Sequence, residues 1–144
     1  MKMTIADQKA YPKMAYYVRV DLPQVAGVRS IVAALKKIGG VSKQTITNAL
    51  RWNHGPEIKV TALVGAFGEF TPDSKSNEIR VDRKVVQDFE AGKGRRVAHA
   101  GGVYLLGVTL LHEATHWADD QDGVDRPGEE GEELEKLLYG NVIY

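Results

Sequence analysis

Residues 110–123 read Leu-Leu-His-Glu-Ala-Thr-His-Trp-Ala-Asp-Asp-Gln-Asp-Gly. His112, Glu113 and His116 within them form the pattern H-E-x-x-H. On an α-helix, residues four apart stack on one face about 6 Å from each other, so two imidazoles there can grip one metal ion from consecutive turns. Glu113 lies about 100° around the helix, near enough to take a proton from a water at the metal without being a ligand. The flanks are apolar: Val108, Leu110 and Leu111 precede the motif, and Ala114, Trp117 and Ala118 continue the same surface. Ionisable groups on a buried helix are costly unless paired or metal-bound, so this context favours a metal centre. The chain has no cysteine, which excludes disulfides and thiolate sites and leaves imidazole and carboxylate as ligands. Zinc suits that set, with three protein ligands and one open position.

The third ligand is expected downstream, where carboxylates crowd. The last predicted helix, about 129–139, presents Leu134, Leu137 and Leu138 at helical spacing. One turn earlier the same face reaches Glu130 and Gly131, while Glu129, Glu133 and Glu135 point more sideways. Glu130 is therefore the expected ligand, with Gly131 allowing close helix approach. Asp122, six residues after His116, is the alternative; it needs a helix that turns back at Asp119, where glycine would be easier. Asp119 shares the histidine face and is expected to orient a ligand by accepting its second N–H. In this reading His112, His116 and one carboxylate hold zinc, Glu113 is the general base, and zinc polarises the scissile carbonyl. Nothing in the spacing selects a further oxyanion donor.

The charge distribution follows the motif. Nineteen basic residues balance nineteen acidic ones across 144 residues. Yet residues 1–111 carry 17 basic and 9 acidic side chains, while residues 113–135 carry ten acidic ones and the single base Arg126. A zero balance argues against a dedicated nucleic-acid binder. The N-terminal residues lack the apolar run of a secretory signal. The longest apolar stretch, about 97–111, is too short and too interrupted for a membrane span. A soluble protein is expected, cytoplasmic at synthesis and open to export by a specialised secretion system.

A chain of this length is expected to form one domain, with residues 1–77 an N-terminal helical and strand part and residues 78–144 the metal-binding core. Tyr16–Val20 reads as a short strand. A helix follows from Asp21 to Ile38, and Ser42 caps another through Leu50. Residues 57–66 and 78–82 alternate as strands, the second short and charged like an edge strand to which an extended peptide could add. Asp82 can cap a helix carrying Val85, Val86 and Phe89. Residues 92–96 read as a basic loop, and the central helix is expected over about 98–121, stopped at Gly123. The fold class is α+β: a small sheet with an edge strand packed on the central H-E-x-x-H helix, and a following helix that carries the carboxylate ligand.

These residues also resemble a known family. Leu110 to Gly123, then Glu129-Glu-Gly131, Leu134-Glu135 and Tyr139-Gly140, with the strand and helix of Ile79–Phe89 upstream, are similar to the toxin-type zincin metallopeptidases. Those domains stand at the C-termini of bacterial polymorphic toxins and secreted effectors. The resemblance covers about residues 78–140. It implies a zincin fold, one zinc ion, hydrolysis of a protein or peptide substrate and, for toxins, a cognate immunity protein.

A competing reading comes from another class. With Gly123 at position 6 of a calcium loop, Asp120, Asp122 and Glu129 fall at positions 3, 5 and 12. Ala118 at position 1 cannot ligate, and Asp125 stands at position 8, where an apolar residue is usual. The alternative is therefore a non-enzymatic, calcium-binding acidic interaction module rather than a true EF-hand.

Overall fold

The computed structural model describes residues 1–99, 101–121, 123 and 128–144. The chain runs β1 (Lys2–Met3), α1 (Ile5–Ala10) and α2 (Pro12–Tyr16), then a π-helical turn (Tyr17–Asp21) and a 3-10 segment (Leu22–Gly27). It continues through α3 (Arg29–Ile38), α4 (Lys43–Leu50), β2 (Glu57–Thr61), β3 (Gly68–Phe70), β4 (Glu78–Asp82) and α5 (Arg83–Glu90). A hairpin of β5 (Arg95–Ala98) and β6 (Gly101–Tyr104) leads into α6 (Leu105–Gln121), and α7 (Glu130–Tyr139) follows. Helices and a small sheet combine in one α+β arrangement, as the periodicity predicts.

The sheet has the order β1-β2-β4-β3. β1, β2 and β4 are parallel, and β3 joins β4 antiparallel, with Gly68 opposite Val81 and Phe70 opposite Ile79. The expected edge strand is thus an interior one: Ile79, Arg80 and Val81 are all buried in β4. Its charge pattern has another cause. Arg80 pairs with Glu69 across β3 at 3.1 Å and with Glu78 at 3.5 Å, and bonds Thr71. The edge beside the central helix is β3, which is too short to show a period of two. The strand expected over 57–66 stops at Thr61.

Three further expectations shift. Tyr16–Val20 is helical rather than extended, because Met14, Val18 and Leu22 are fully buried and recur every four residues. The helix expected from Asp21 is interrupted, and regular α-helix begins only at Arg29. The central helix starts at Leu105, since residues 95–104 pair as a hairpin with Arg95 opposite Tyr104. Gly101 there has φ of 115°, which a side chain would resist. The caps expected at Ser42 and Asp82 are present, each side chain accepting a backbone N–H.

α6 is buried on nearly every side. Its two buried threonines are satisfied internally: Thr109 and Thr115 each donate to the carbonyl four residues back, at 2.8 Å. Gly39, just past α3, sits so close that a β-carbon there would come within 2.9 Å of Ala118. α7 packs on α6 and α3 with Leu134 fully buried, and ends at Gly140 in the left-handed conformation, φ 83°. The face it buries is Glu130, Gly131, Leu134 and Glu135. Leu137, expected inward, is 52% exposed. Among the described residues no helix is long and apolar enough to cross a membrane.

Candidate metal centre

The i, i+4 spacing brings the two imidazoles together, with ring centroids 5.1 Å apart. Each meets a glutamate of α7 through Nδ1. His112 Nδ1 lies 2.6 Å from Glu135 Oε1, and His116 Nδ1 lies 3.2 Å from Glu130 Oε2. The earlier histidine meets the later glutamate, so α6 and α7 run in opposite directions at the site. A Nδ1 that donates to a carboxylate leaves Nε2 unprotonated and free to ligate.

Glu129 completes a ligand-like group. One atom each from His112, His116 and Glu129 lies within 4.8 Å of the others, and Glu129 Oε2 is 4.0 Å from His116 Nε2. Two imidazole nitrogens and a carboxylate oxygen, with no sulfur, form a donor set that fits zinc and other first-row divalent ions. Glu130, the expected ligand, stands instead at the other nitrogen of His116 and is buried. The physical reason is position: Glu130 opens the helix and is fixed in the α6–α7 interface, whereas Glu129 precedes it with its side chain 71% exposed and turned to the cavity. Asp122, the alternative ligand, lies outside the described residues, as does Asp125 of the calcium-loop reading. Asp119 is buried and lines the same cavity.

Glu135 was not anticipated in this role. It is 4% exposed, and its second oxygen accepts the Ile143 N–H at 2.7 Å. The hydrophobic pattern counts a glutamate as outward-facing, so only knowledge of the opposing His112 could have found it. Gly131 does allow close approach: a β-carbon at this position would overlap the His112 ring at Cδ2 and Nε2. Overpacking of that kind typically costs 1–3 kcal/mol or moves the ring.

Glu113 is buried between α6 and β3. Gly68 of β3 passes directly over it, and a β-carbon at Gly68 would sit 2.6 Å from Glu113 Oε1. Burial pushes the Glu113 carboxyl up to about 7, with His112 opposing and Glu69 adding to the shift. A carboxyl near neutrality can both take and return a proton. The two histidines differ. Burial lowers the His112 pKa, but the Glu135 bond and the charge of Glu113 outweigh it, and the net shift is upward. Burial and the neighbouring His112 lower that of His116, against the pull of Glu130 and Glu129.

Two cavities of about 810 and 560 Å³ meet at this centre. Gly68, His112, Glu113 and Glu129 line both, so the centre sits at the waist of one cleft.

The sequence model of a family described as metallopeptidase toxin 3 matches residues 7–140, and the chain belongs to that family. The match also takes in most of residues 1–77, to which the sequence resemblance did not extend. No curated protein and no solved structure matches the chain.

Proposed function

We propose that this member of the metallopeptidase toxin 3 family is a zinc-dependent endopeptidase of the zincin type, acting on protein substrates as a bacterial toxin or effector domain. The observation that carries the reading is the joint placement of His112, His116 and Glu129 around one point with Glu113 beside it, at the waist of an open cleft. His112 and His116 would hold zinc through the ring nitrogens not engaged by α7, with Glu129 as third ligand in place of the expected Glu130. Glu130 and Glu135 hold the two rings in the ligating tautomer, and Asp119 helps define the polar wall around His116.

Zinc bound there supplies Lewis acidity, lowering the pKa of a water and drawing charge from the scissile carbonyl. Glu113 takes the proton of the attacking water on its carboxylate and delivers it to the leaving amine, which its pKa near 7 permits in both directions. The unpaired edge of β3 offers main-chain groups to an extended substrate, the role the sequence suggested for β4. A toxin of this kind requires export and a cognate immunity protein that blocks the cleft in the producing cell.

The test is a pair of measurements on purified protein. The wild-type chain is expected to bind about one zinc and cleave unfolded protein substrates. Glu113→Gln should keep the metal and lower kcat by about 10²–10⁴-fold. Full activity in that variant would remove Glu113 from the chemistry. Calcium binding without zinc would favour the acidic interaction module instead.

A further inference from the structure

The two lobes of the cleft are unlike. Beyond the shared waist, the larger lobe is lined by Glu69, Asp73, Asp119, Asp120 and Glu130, with no lysine or arginine among its described lining residues. Arg80 lies outside this lining and pairs with Glu69 on its wall. Glu130 is 5% exposed, and its Oε1 has no hydrogen-bond partner among the described residues. Glu130 therefore brings its charge to the wall of this lobe with little compensation from hydrogen bonds. The smaller lobe is floored by the buried Leu105 and Val108 and walled by Phe67, Val142, Ile143 and Tyr144; its own two carboxylates are both paired, Glu132 with Lys136 and Glu135 with His112 and the Ile143 N–H.

β3 links the lobes and gives them an order. Gly65 to Gly68, at its N-terminal end, border the apolar lobe; Phe70 to Asp73, at its C-terminal end, border the acidic one. Its outer edge is unpaired in the sheet, and antiparallel pairing is the more stable way for a strand to join it. A peptide added antiparallel to β3 therefore lays its N-terminal half along the acidic lobe and its C-terminal half along the apolar one.

Resting on the peptidase reading above, we infer that the preferred substrate is a segment with lysine or arginine just before the scissile bond and a large apolar residue just after it. The acidic lobe, with Glu69, Asp73, Asp120 and Glu130 on its wall, attracts the cation. The apolar lobe buries the following side chain.

The experiment pairs cleavage with binding. The zinc-loaded full chain is given a positional peptide library, and the cut sites are read by mass spectrometry. The expected result is a preference of about tenfold or more for basic over acidic residues before the bond, and for Leu or Phe over Asp after it. The double variant Asp73→Asn/Asp120→Asn should lower the ratio of basic to neutral kcat/KM by about tenfold. In parallel, fluorescence anisotropy measures a basic-then-apolar peptide of about ten residues and its reversed sequence on Glu113→Gln, with and without zinc. Tighter binding of the first in both states supports the inference independently of turnover. Cleavage without charge preference, or with the reversed order, overturns it and leaves the peptidase reading standing. Ordered binding without cleavage by the wild type overturns the peptidase reading and keeps the cleft assignment. Neither binding nor cleavage overturns both.

Discussion

His112 and His116 stand one turn apart on the same helix, and each meets a buried glutamate of α7, but the two pairs are built differently. Glu135 uses both oxygens, one on His112 at 2.6 Å and one on the Ile143 N–H at 2.7 Å. Glu130 reaches His116 at 3.2 Å with one oxygen, and its other oxygen has no hydrogen-bond partner among the described residues. One imidazole is fixed by a carboxylate that is itself fixed, while the other leans on a carboxylate with bonding capacity to spare. The pKa shifts follow the same split, upward for His112 and downward for His116. A two-histidine grip thus has a rigid side and an adjustable side, and the adjustable side faces the acidic lobe of the cleft.

The largest expected effect decides what stands between the rings. Glu129→Ala should weaken zinc binding by well over the 10–100-fold typical of losing an outer carboxylate, and Glu130→Ala should stay within that range. Titration against a competing chelator measures both, and the opposite order would make Glu130 the third ligand. The next effect tests the asymmetry itself. Glu135→Ala and Glu130→Ala should each cost zinc affinity within that range. Only Glu135→Ala should also cost about 1–3 kcal/mol of stability in metal-free protein, because it strands the buried Ile143 N–H. Equal losses in urea unfolding would erase the distinction.

The smallest effect concerns the charge beside the His112 ring. Glu113 has its folded-state pKa raised from 4.5 to about 7, so the folded protein holds that proton more tightly than the unfolded chain. The stability this gives is present below about pH 4.5 and is lost as pH rises through 7. Metal-free Glu113→Gln should therefore be more stable than wild type at pH 8, by on the order of 2 kcal/mol, with no gain at pH 4. An equal difference at both values would point to packing rather than ionisation.

The central elements of this site were legible in the sequence because they rest on local geometry. H-E-x-x-H spacing fixes a helix face whatever packs on it, and Gly131 and Gly140 mark a close approach and a helix end through backbone demands alone. What was not legible depends on partners far away in the chain. Helical phase placed Glu135 sideways on the last helix and gave it no role, and its burial becomes tolerable through His112, 23 residues earlier, and the Ile143 N–H. Glu129, the third ligand proposed above, is not favoured by helical phase; it precedes the helix with its side chain exposed, while Glu130 is buried against His116. β3 is three residues long and carries a glycine where the chain crosses Glu113, so it shows neither length nor alternation. β4 imitated an edge strand because Arg80 finds its counter-charges within the sheet.

The close approach of Gly131 to the His112 ring makes a proposed metal ligand part of the helix seam. Where another residue would place its β-carbon, this protein places an imidazole, so the ring fills the α6–α7 interface that also supports the hydrophobic core at Leu134. On the proposed reading, occupancy of the centre would be coupled to docking of the last helix. A divalent ion that binds the assembled site and not the unfolded chain draws α7 onto α6, and stabilises the whole protein in proportion to the logarithm of its free concentration. A chain that moves between compartments poor and rich in zinc would carry in that seam a gauge of where it has arrived.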